Sequence, residues 1–351
     1  MPNEMTEGGT LSKHDSGYPH PLADHISMDR SSTAIQTAAW EALPYSLPES
    51  SSRSDFNLER LDKAPSMSAM YFKALRNRPQ LKRGESVPAL QVESPFKLTE
   101  PWLKDYLSIC GWKTEETRTA TPMTAPQTFA APLHMYLLTH SSFPASTLGL
   151  VHAANQMLSQ HPISSSDELM IRSWTGETRW KSRGFEIDLH TSIFANGEQR
   201  PSWLGKTTIF RSVKTPPTDQ QGEKKEEVIL EGSRSPLELS SDLGRRYAPV
   251  AGDYNPIHLY PITAKLFGFK RPIIHGMWTV AHLLSKACPQ ATEAQEGQMS
   301  VQFKRPLSLP LSSFELSEKY EDTHLMQAFD HREKLAVDLA FIAHTPMPTS
   351  V

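Results

Sequence analysis

The stretch Tyr247-Ala-Pro-Val-Ala-Gly-Asp-Tyr-Asn-Pro-Ile-His258, with Gly268-Phe-Lys-Arg-Pro-Ile-Ile-His-Gly-Met277 after it, decides how this chain is read. Asn255 is a strong N-cap residue and Pro256 a good first helical residue, so a helical turn is expected to start there. Asp253 then lies in the loop before the turn and His258 inside it. Their spacing lets both side chains converge on one small molecule such as water. A carboxylate beside an imidazole can hold that water, accept its proton and return a proton elsewhere.

The second cluster supplies a complementary part. A helix opening at His275-Gly276-Met277 has free backbone N–H groups and the positive dipole end in its first turn. Gly276, with no side chain, is expected to let a substrate carbonyl approach those groups and to stabilise an enolate-like oxygen there. An acid/base pair with an oxyanion hole is what adding water across an α,β-unsaturated thioester needs. Asn255 is expected to cap rather than react. His275 is expected to act structurally, capping its own helix or packing beneath the oxyanion hole.

These residues resemble the MaoC-like dehydratase family, which includes the (R)-specific enoyl-CoA hydratases. The resemblance is carried by Tyr247, Gly252, Asp253, Asn255, Pro256, Ile257 and His258, then by Gly268, Phe269, Pro272, Ile273, His275, Gly276 and Met277. Val301-Gln-Phe-Lys-Arg-Pro-Leu-Ser-Leu-Pro310 is similar to the strand that follows the helix in that family. The resemblance implies an α+β double hot-dog fold, two repeats each wrapping an antiparallel sheet around a helix and packed as a pseudo-dimer. It implies Asp253 and His258 as the catalytic pair and the Gly276 N–H as oxyanion donor. The implied substrate is a 2-enoyl thioester or its (R)-3-hydroxyacyl partner, with coenzyme A or a carrier protein as part of the substrate and no cofactor. A carrier-protein dehydratase, a thioesterase and a low-activity thioester-binding subunit are the alternatives. The chain departs from the family at Ala251, where Ser is common, and at Tyr260, where Asp would cap the helix opened by Pro261.

Working outward, the pattern occurs twice. Tyr106, Gly111 and His134 precede Tyr247, Gly252 and His275 by 141 positions each, which favours an internal duplication. The same offset puts Trp112 and Thr117 in the places of Asp253 and His258, so only the C-terminal copy is expected to be catalytic. A helix beginning at His134 is expected to stop early at Ser141-Ser-Phe-Pro144, its lost length opening a channel for a longer acyl chain. The helix from His275 is expected to run to about Ala287. Gly149-Leu-Val-His-Ala-Ala-Asn155 and Pro132-Leu-His-Met resemble the first half of double hot-dog acyl dehydratases.

Strands are expected where apolar and polar residues alternate: Phe185, Ile187, Leu189 and Ile193, and again Leu335, Val337, Leu339 and Phe341. Trp203–Phe210, Gln298–Phe303 and Phe314–Tyr320 are further strand candidates. Ten serines and five prolines in the first 60 residues leave too few clustered apolar groups for a core there. Residues 1–65 are therefore expected to be a mobile N-terminal segment, with a short helix at Ser32–Leu43. The expected domains are 66–213, a degenerate hot-dog, and 228–351, the catalytic one, with 214–227 as a solvated linker. One sheet is expected to lie beside the other, with the two helices adjacent.

The charge balance, 36 Lys+Arg against 39 Asp+Glu, leaves no footprint for a nucleic-acid backbone. No apolar run is long enough to span a membrane. Two cysteines, Cys110 and Cys288, exclude a disulfide framework. A cytoplasmic protein is expected, a monomer with an internal pseudo-dimer or a homodimer. His275 and His282 share a helical face without a carboxylate or thiol to complete a metal site, so no metal is expected. Lys304 and Arg305 are candidates for the phosphates of coenzyme A, against the ordinary reading of two solvated cations at a strand end.

Overall fold

The computed structural model describes residues 58–74, 81–113, 119–147, 149–213, 227–288 and 296–343. The helix expected at Ser32–Leu43, Thr117 and nearly all of the expected linker lie outside these residues. The described chain begins ahead of residue 66, because Leu58–Arg60 already forms a strand, β1, paired in parallel with Gln91–Lys97, β2.

The first half continues through helices α1 (Met67–Ala74), α2 (Glu100–Cys110) and α3 (Pro126–Thr139). Its further strands are β3 (Leu150–Ser159), β4 (Glu168–Lys181), β5 (Gly184–Ala195) and β6 (Trp203–Ser212). The second half holds β7 (Ser233–Leu239), α4 (Leu243–Ala251), a 3-10 turn at Pro256–His258, α5 (Pro261–Leu266) and α6 (Gly276–Ala287). It closes with β8 (Gly297–Phe303), β9 (Leu311–Tyr320), β10 (Thr323–Phe329) and β11 (Leu335–Ala343). Among the described residues no helix is long and apolar enough to cross a membrane.

Among the described residues all the strands join one eleven-stranded sheet in the order β1-β2-β4-β5-β6-β3-β8-β11-β10-β9-β7. Leaving β1 aside, the order reads the same from either end once β2, β4, β5, β6 and β3 are matched to β7, β9, β10, β11 and β8. The two halves are thus repeats related about the antiparallel β3–β8 seam, where Ala154 to Ser159 pair with Gln302 to Gly297. Helix α3 packs across β2, β4 and β5, and α6 across β10 and β11. This is the double hot-dog architecture. Between the halves, α2 meets both α4 and α6, and α3 meets α4. Trp102 Nε1 donates to the Val250 carbonyl and Trp278 Nε1 to the Ile109 carbonyl, both at 2.9 Å.

Tyr106 and Tyr247 hold equivalent places on α2 and α4, both fully buried. Each helix ends on a left-handed glycine, Gly111 at φ 90° and Gly252 at φ 66°, a conformation that glycine adopts without a Cβ penalty. Beyond these glycines the repeats diverge, and the expected match of His134 with His275 fails. His134 lies inside α3, bonded to Thr191 Oγ1 at 2.8 Å, whereas His275 precedes α6.

The helix expected to begin at His134 begins at Pro126 instead, and its 14 residues exceed the 12 of α6. The expected shortening of the first-half helix is therefore not found. Pro126 stands at N1, where its fixed φ suits a helix start. Pro132, inside the helix, costs about 3 kcal/mol, but burial of Phe129, Leu133 and Leu137 at about 1.5–3 kcal/mol each outweighs that.

The strand candidates all form. The polar alternates of β5 do not face solvent, however. Asp188 is 3% exposed and accepts from Arg179 Nη2 and Thr208 Oγ1, each at 2.7 Å.

Candidate active site

Helix α4 delivers Asp253 by ending at Gly252, whose left-handed turn swings the chain across the sheet. The 3-10 turn then forms as its cap requires: Asn255 Oδ1 accepts from the Ile257 N–H at 3.4 Å, and Pro256 sits first. Gly244 on α4 allows the turn to approach, since a Cβ there would lie 2.3 Å from the His258 carbonyl oxygen. The poor cap at Tyr260 is relieved by Thr263, whose hydroxyl donates to the Pro256 and Tyr260 carbonyls at 2.7 and 2.9 Å.

Asp253, His258 and His275 meet at one place. His258 Nδ1 donates to the Ile273 carbonyl at 2.7 Å, which fixes the tautomer and leaves Nε2 with a lone pair. That Nε2 faces Asp253 Oδ2 at 3.8 Å. The gap is too wide for a direct hydrogen bond and suits one bridging water. His275 does not cap its helix with its side chain. Its Nε2 donates to the Asp253 backbone carbonyl at 3.0 Å, and its ring stacks on His258 at 3.7 Å. It is the platform under the pair. Asp253 Oδ1 accepts from the Asn255 N–H at 3.0 Å and from the hydroxyl of Tyr71 on α1.

The electrostatics follow from these contacts. Burial works against the Asp253 charge, but His275, His258 and the Tyr71 hydroxyl together hold its carboxyl below the usual range. Burial pushes His258 below its ordinary value and His275 down to about 3. Near neutral pH the site therefore holds a carboxylate beside neutral imidazoles. Both members of the facing pair can accept a proton.

Helix α6 opens at Gly276, directly after the stacked His275, so its first turn lies against the pair. The Trp278 and Thr279 N–H groups bond the His275 carbonyl, while those of Gly276 and Met277 have no acceptor within the helix. The structure gives a further reason for glycine here. A Cβ on Gly276 would meet the Phe303 ring at 2.6 Å, so packing against β8 excludes a side chain. Phe303 in turn contacts His152, with ring centroids 4.7 Å apart. His152 belongs to the other half and stands beside a bulge in β3, between His152 and Ala154. Burial pushes it down to about 4, with the nearby Asp253 charge pulling the other way.

The remaining candidates are engaged elsewhere. Lys304 pairs with Asp338 at 3.5 Å, and Arg305 with Glu227 at 3.0 Å and with the Leu335 carbonyl. Trp112, in the place of Asp253 in the first half, is buried at 4% exposure and has no acid/base chemistry to offer. Asp253, His258 and His275 present ligand atoms within 4.8 Å of one another. The donor set does not suit a metal: His258 Nδ1 and His275 Nε2 are bonded to carbonyls, and stacked rings do not aim their lone pairs at one centre. Tyr71 was not legible as a site residue, since its hydroxyl reaches Asp253 from the other repeat, and His152 lies near enough to feel the Asp253 charge.

Comparison with known proteins places this geometry among relatives. The MaoC like domain family matches residues 225–310, which span the whole loop and α6. The chain is 33% identical over 196 residues to 3-hydroxyacyl-thioester dehydratase X of Mycobacterium tuberculosis, covering 55% of this chain and 68% of that protein. It is 26% identical over 151 residues to the peroxisomal enoyl-CoA hydratase 2 of Arabidopsis thaliana, covering 37% of this chain and 46% of that one. Among solved structures, HtdX of Mycobacterium tuberculosis superposes with a TM-score of 0.61 at 25% identity, over 73% of this chain and 100% of that one. A MaoC-like dehydratase from Phytophthora capsici shares the fold, with a TM-score of 0.60 at 18% identity over 75% of this chain and 97% of that one.

Proposed function

The chain belongs to the MaoC-like dehydratase family, and from that premise we infer that it is a hydro-lyase of acyl thioesters, interconverting 2-enoyl-CoA and (R)-3-hydroxyacyl-CoA. The observation that supports this most is the facing pair itself. Asp253 Oδ2 and His258 Nε2 stand one water apart beside the open N-terminus of α6, while the other polar atom of each side chain is engaged.

In the hydration direction, water held between Oδ2 and Nε2 attacks C3 of the enoyl group. The new C3–O bond forms as one member of the pair takes the water's proton. The C2–C3 π electrons move onto the thioester oxygen, and the resulting enolate accepts from the Gly276 N–H. C2 then takes a proton from the protonated pair, and one water has been added across the double bond. Dehydration is the same path reversed. The proton belongs to the Asp253–His258 pair as a unit.

The test is loss of the enoyl-thioester absorbance over a series of 2-enoyl-CoA chain lengths, with free thiol measured in parallel. Hydration predicts absorbance loss without thiol release. Thiol release at the same rate would make the protein a thioesterase and overturn the assignment.

A further inference from the structure

We propose that Tyr71, carried on α1 by the non-catalytic half, is a positioning residue that orients the Asp253 carboxylate, so that the active site is incomplete without a side chain from the degenerate repeat. The proposal rests on the reading of Asp253 as half of the acid/base pair.

A carboxylate on a short loop can rotate about its last bond and present either oxygen. Here the choice is made by two donors on one oxygen. The Tyr71 hydroxyl and the Asn255 N–H both donate to Oδ1, which leaves Oδ2 turned to His258 at 3.8 Å. The Asn255 bond is local, closing a turn two residues long. The Tyr71 bond comes from 182 residues away and ties the orientation to the other half.

The rest of α1 is built to hold that hydroxyl in place. Met70 and Ala74, one helical turn apart, are 5% and 4% exposed. Thr139 on α3 donates to Met70 Sδ at 3.3 Å, and Thr147 donates to the Ala74 carbonyl at 3.4 Å. Met67, one turn before Tyr71, reaches the Gly252 corner, where its Cγ lies 4.0 Å from the position of a Cβ. Met67 and Tyr71 therefore cover Gly252 and Asp253 from one face of the helix. Burial and the neighbouring carboxylate push the Tyr71 phenol far above its ordinary value, so it remains a donor at any working pH.

Removing the donor has a definite consequence for titration. The groups facing Asp253 are His258 on the 3-10 turn, His275 ahead of α6, Tyr247 on α4, His152 on β3 and Tyr71 on α1. Of the two tyrosines, Tyr71 is the one whose hydroxyl bonds to Asp253, and phenylalanine removes that donor while keeping the ring. A hydrogen bond to the charged form favours that form, so its loss raises the Asp253 pKa.

The experiment compares the full-length protein with Tyr71→Phe, Asp253→Asn and the double variant. Carboxylate NMR of the wild type and Tyr71→Phe should show the Asp253 titration moving up by about one pH unit. This readout does not depend on any reaction, so it separates failure of the proposal from failure of the hydratase reading. With a 2-enoyl-CoA substrate, Tyr71→Phe should lower kcat roughly tenfold at nearly constant KM and shift the acid limb upward. Asp253→Asn should abolish the effect of the second substitution. An unchanged Asp253 titration would overturn the proposal, as would a Tyr71→Phe effect of equal size in the Asp253→Asn background. A rise in kcat/KM for Tyr71→Phe would also overturn it, marking α1 as a plug.

Discussion

Asp253 Oδ2 and His258 Nε2 face each other at 3.8 Å, and the other polar atom of each side chain is already bonded, Oδ1 to Asn255 and Tyr71 and Nδ1 to the Ile273 carbonyl. Oδ2 and Nε2 are the two acceptors left to the pair, and a water lying beside them can donate to both. Asp253→Asn keeps the shape and loses the basic oxygen. It should lower hydration by about 100- to 10,000-fold, the range for positioned acid/base groups, with little change in thermal unfolding. His258→Ala should lower the rate as far and also cost about 1–3 kcal/mol of stability, because the buried Ile273 carbonyl loses its donor. Initial rates and unfolding curves on both variants check this.

The pH dependence has a fixed sign. The working form is the Asp253 carboxylate with neutral His258, and both groups titrate below their ordinary values. Activity should hold as pH falls past 6.5, the ordinary histidine value, and fall only below it as the pair takes up a proton. A kcat/KM profile with its acid limb above 6.5 would contradict a buried neutral His258.

Gly276→Ala drives a Cβ into the Phe303 ring. Overpacking of this kind costs about 1–3 kcal/mol, and the first turn of α6 must shift away from the pair. Lower kcat and lower thermal stability are expected together. Phe303→Leu in the same chain should restore much of both, whereas a variant with unaltered unfolding would place the steric reason elsewhere.

Glu315 gives a stability prediction remote from the chemistry. Burial raises its carboxyl to about 7, and His282, facing it at 3.8 Å, is pushed down to about 4. The folded protein keeps the Glu315 proton that the unfolded chain releases above its ordinary 4.5, so this group takes stability away as pH rises from there to about 7. His282 works in the opposite direction at acid pH, since the unfolded chain binds a proton that the folded one refuses. Glu315→Gln should therefore raise the melting temperature more at pH 8 than at pH 5, by about a few degrees. An equal shift at both would contradict a buried, protonatable Glu315.

What could be read in the sequence was what is local. The Asn255-Pro256 turn, the glycine after α4 and the N-terminus of α6 are each set by neighbouring residues, so their text predicts their geometry. The repeat was legible at Tyr106 and Gly111 for the same reason. His134 misled because its match to His275 placed the helix start there, while burial of Phe129, Leu133 and Leu137 carries a helix from Pro126 through Pro132. The packing of Gly276 against Phe303 was not legible, because that ring comes from β8 and leaves no mark near the glycine. Tyr71 left no signal, and His152 stood only within the family-like stretch Gly149–Asn155, with no role attached. Tyr71 meets the site through a contact across the repeats, which local sequence does not encode.

The most direct test of the hydro-lyase assignment is the fate of oxygen from heavy-oxygen water during turnover of a 2-enoyl-CoA. Mass spectrometry should find one heavy oxygen on C3 of an intact hydroxyacyl thioester with the wild-type protein, and the labelled product should almost vanish with Asp253→Asn. Heavy oxygen in a free carboxylate, with coenzyme A released and the double bond retained, would contradict the assignment.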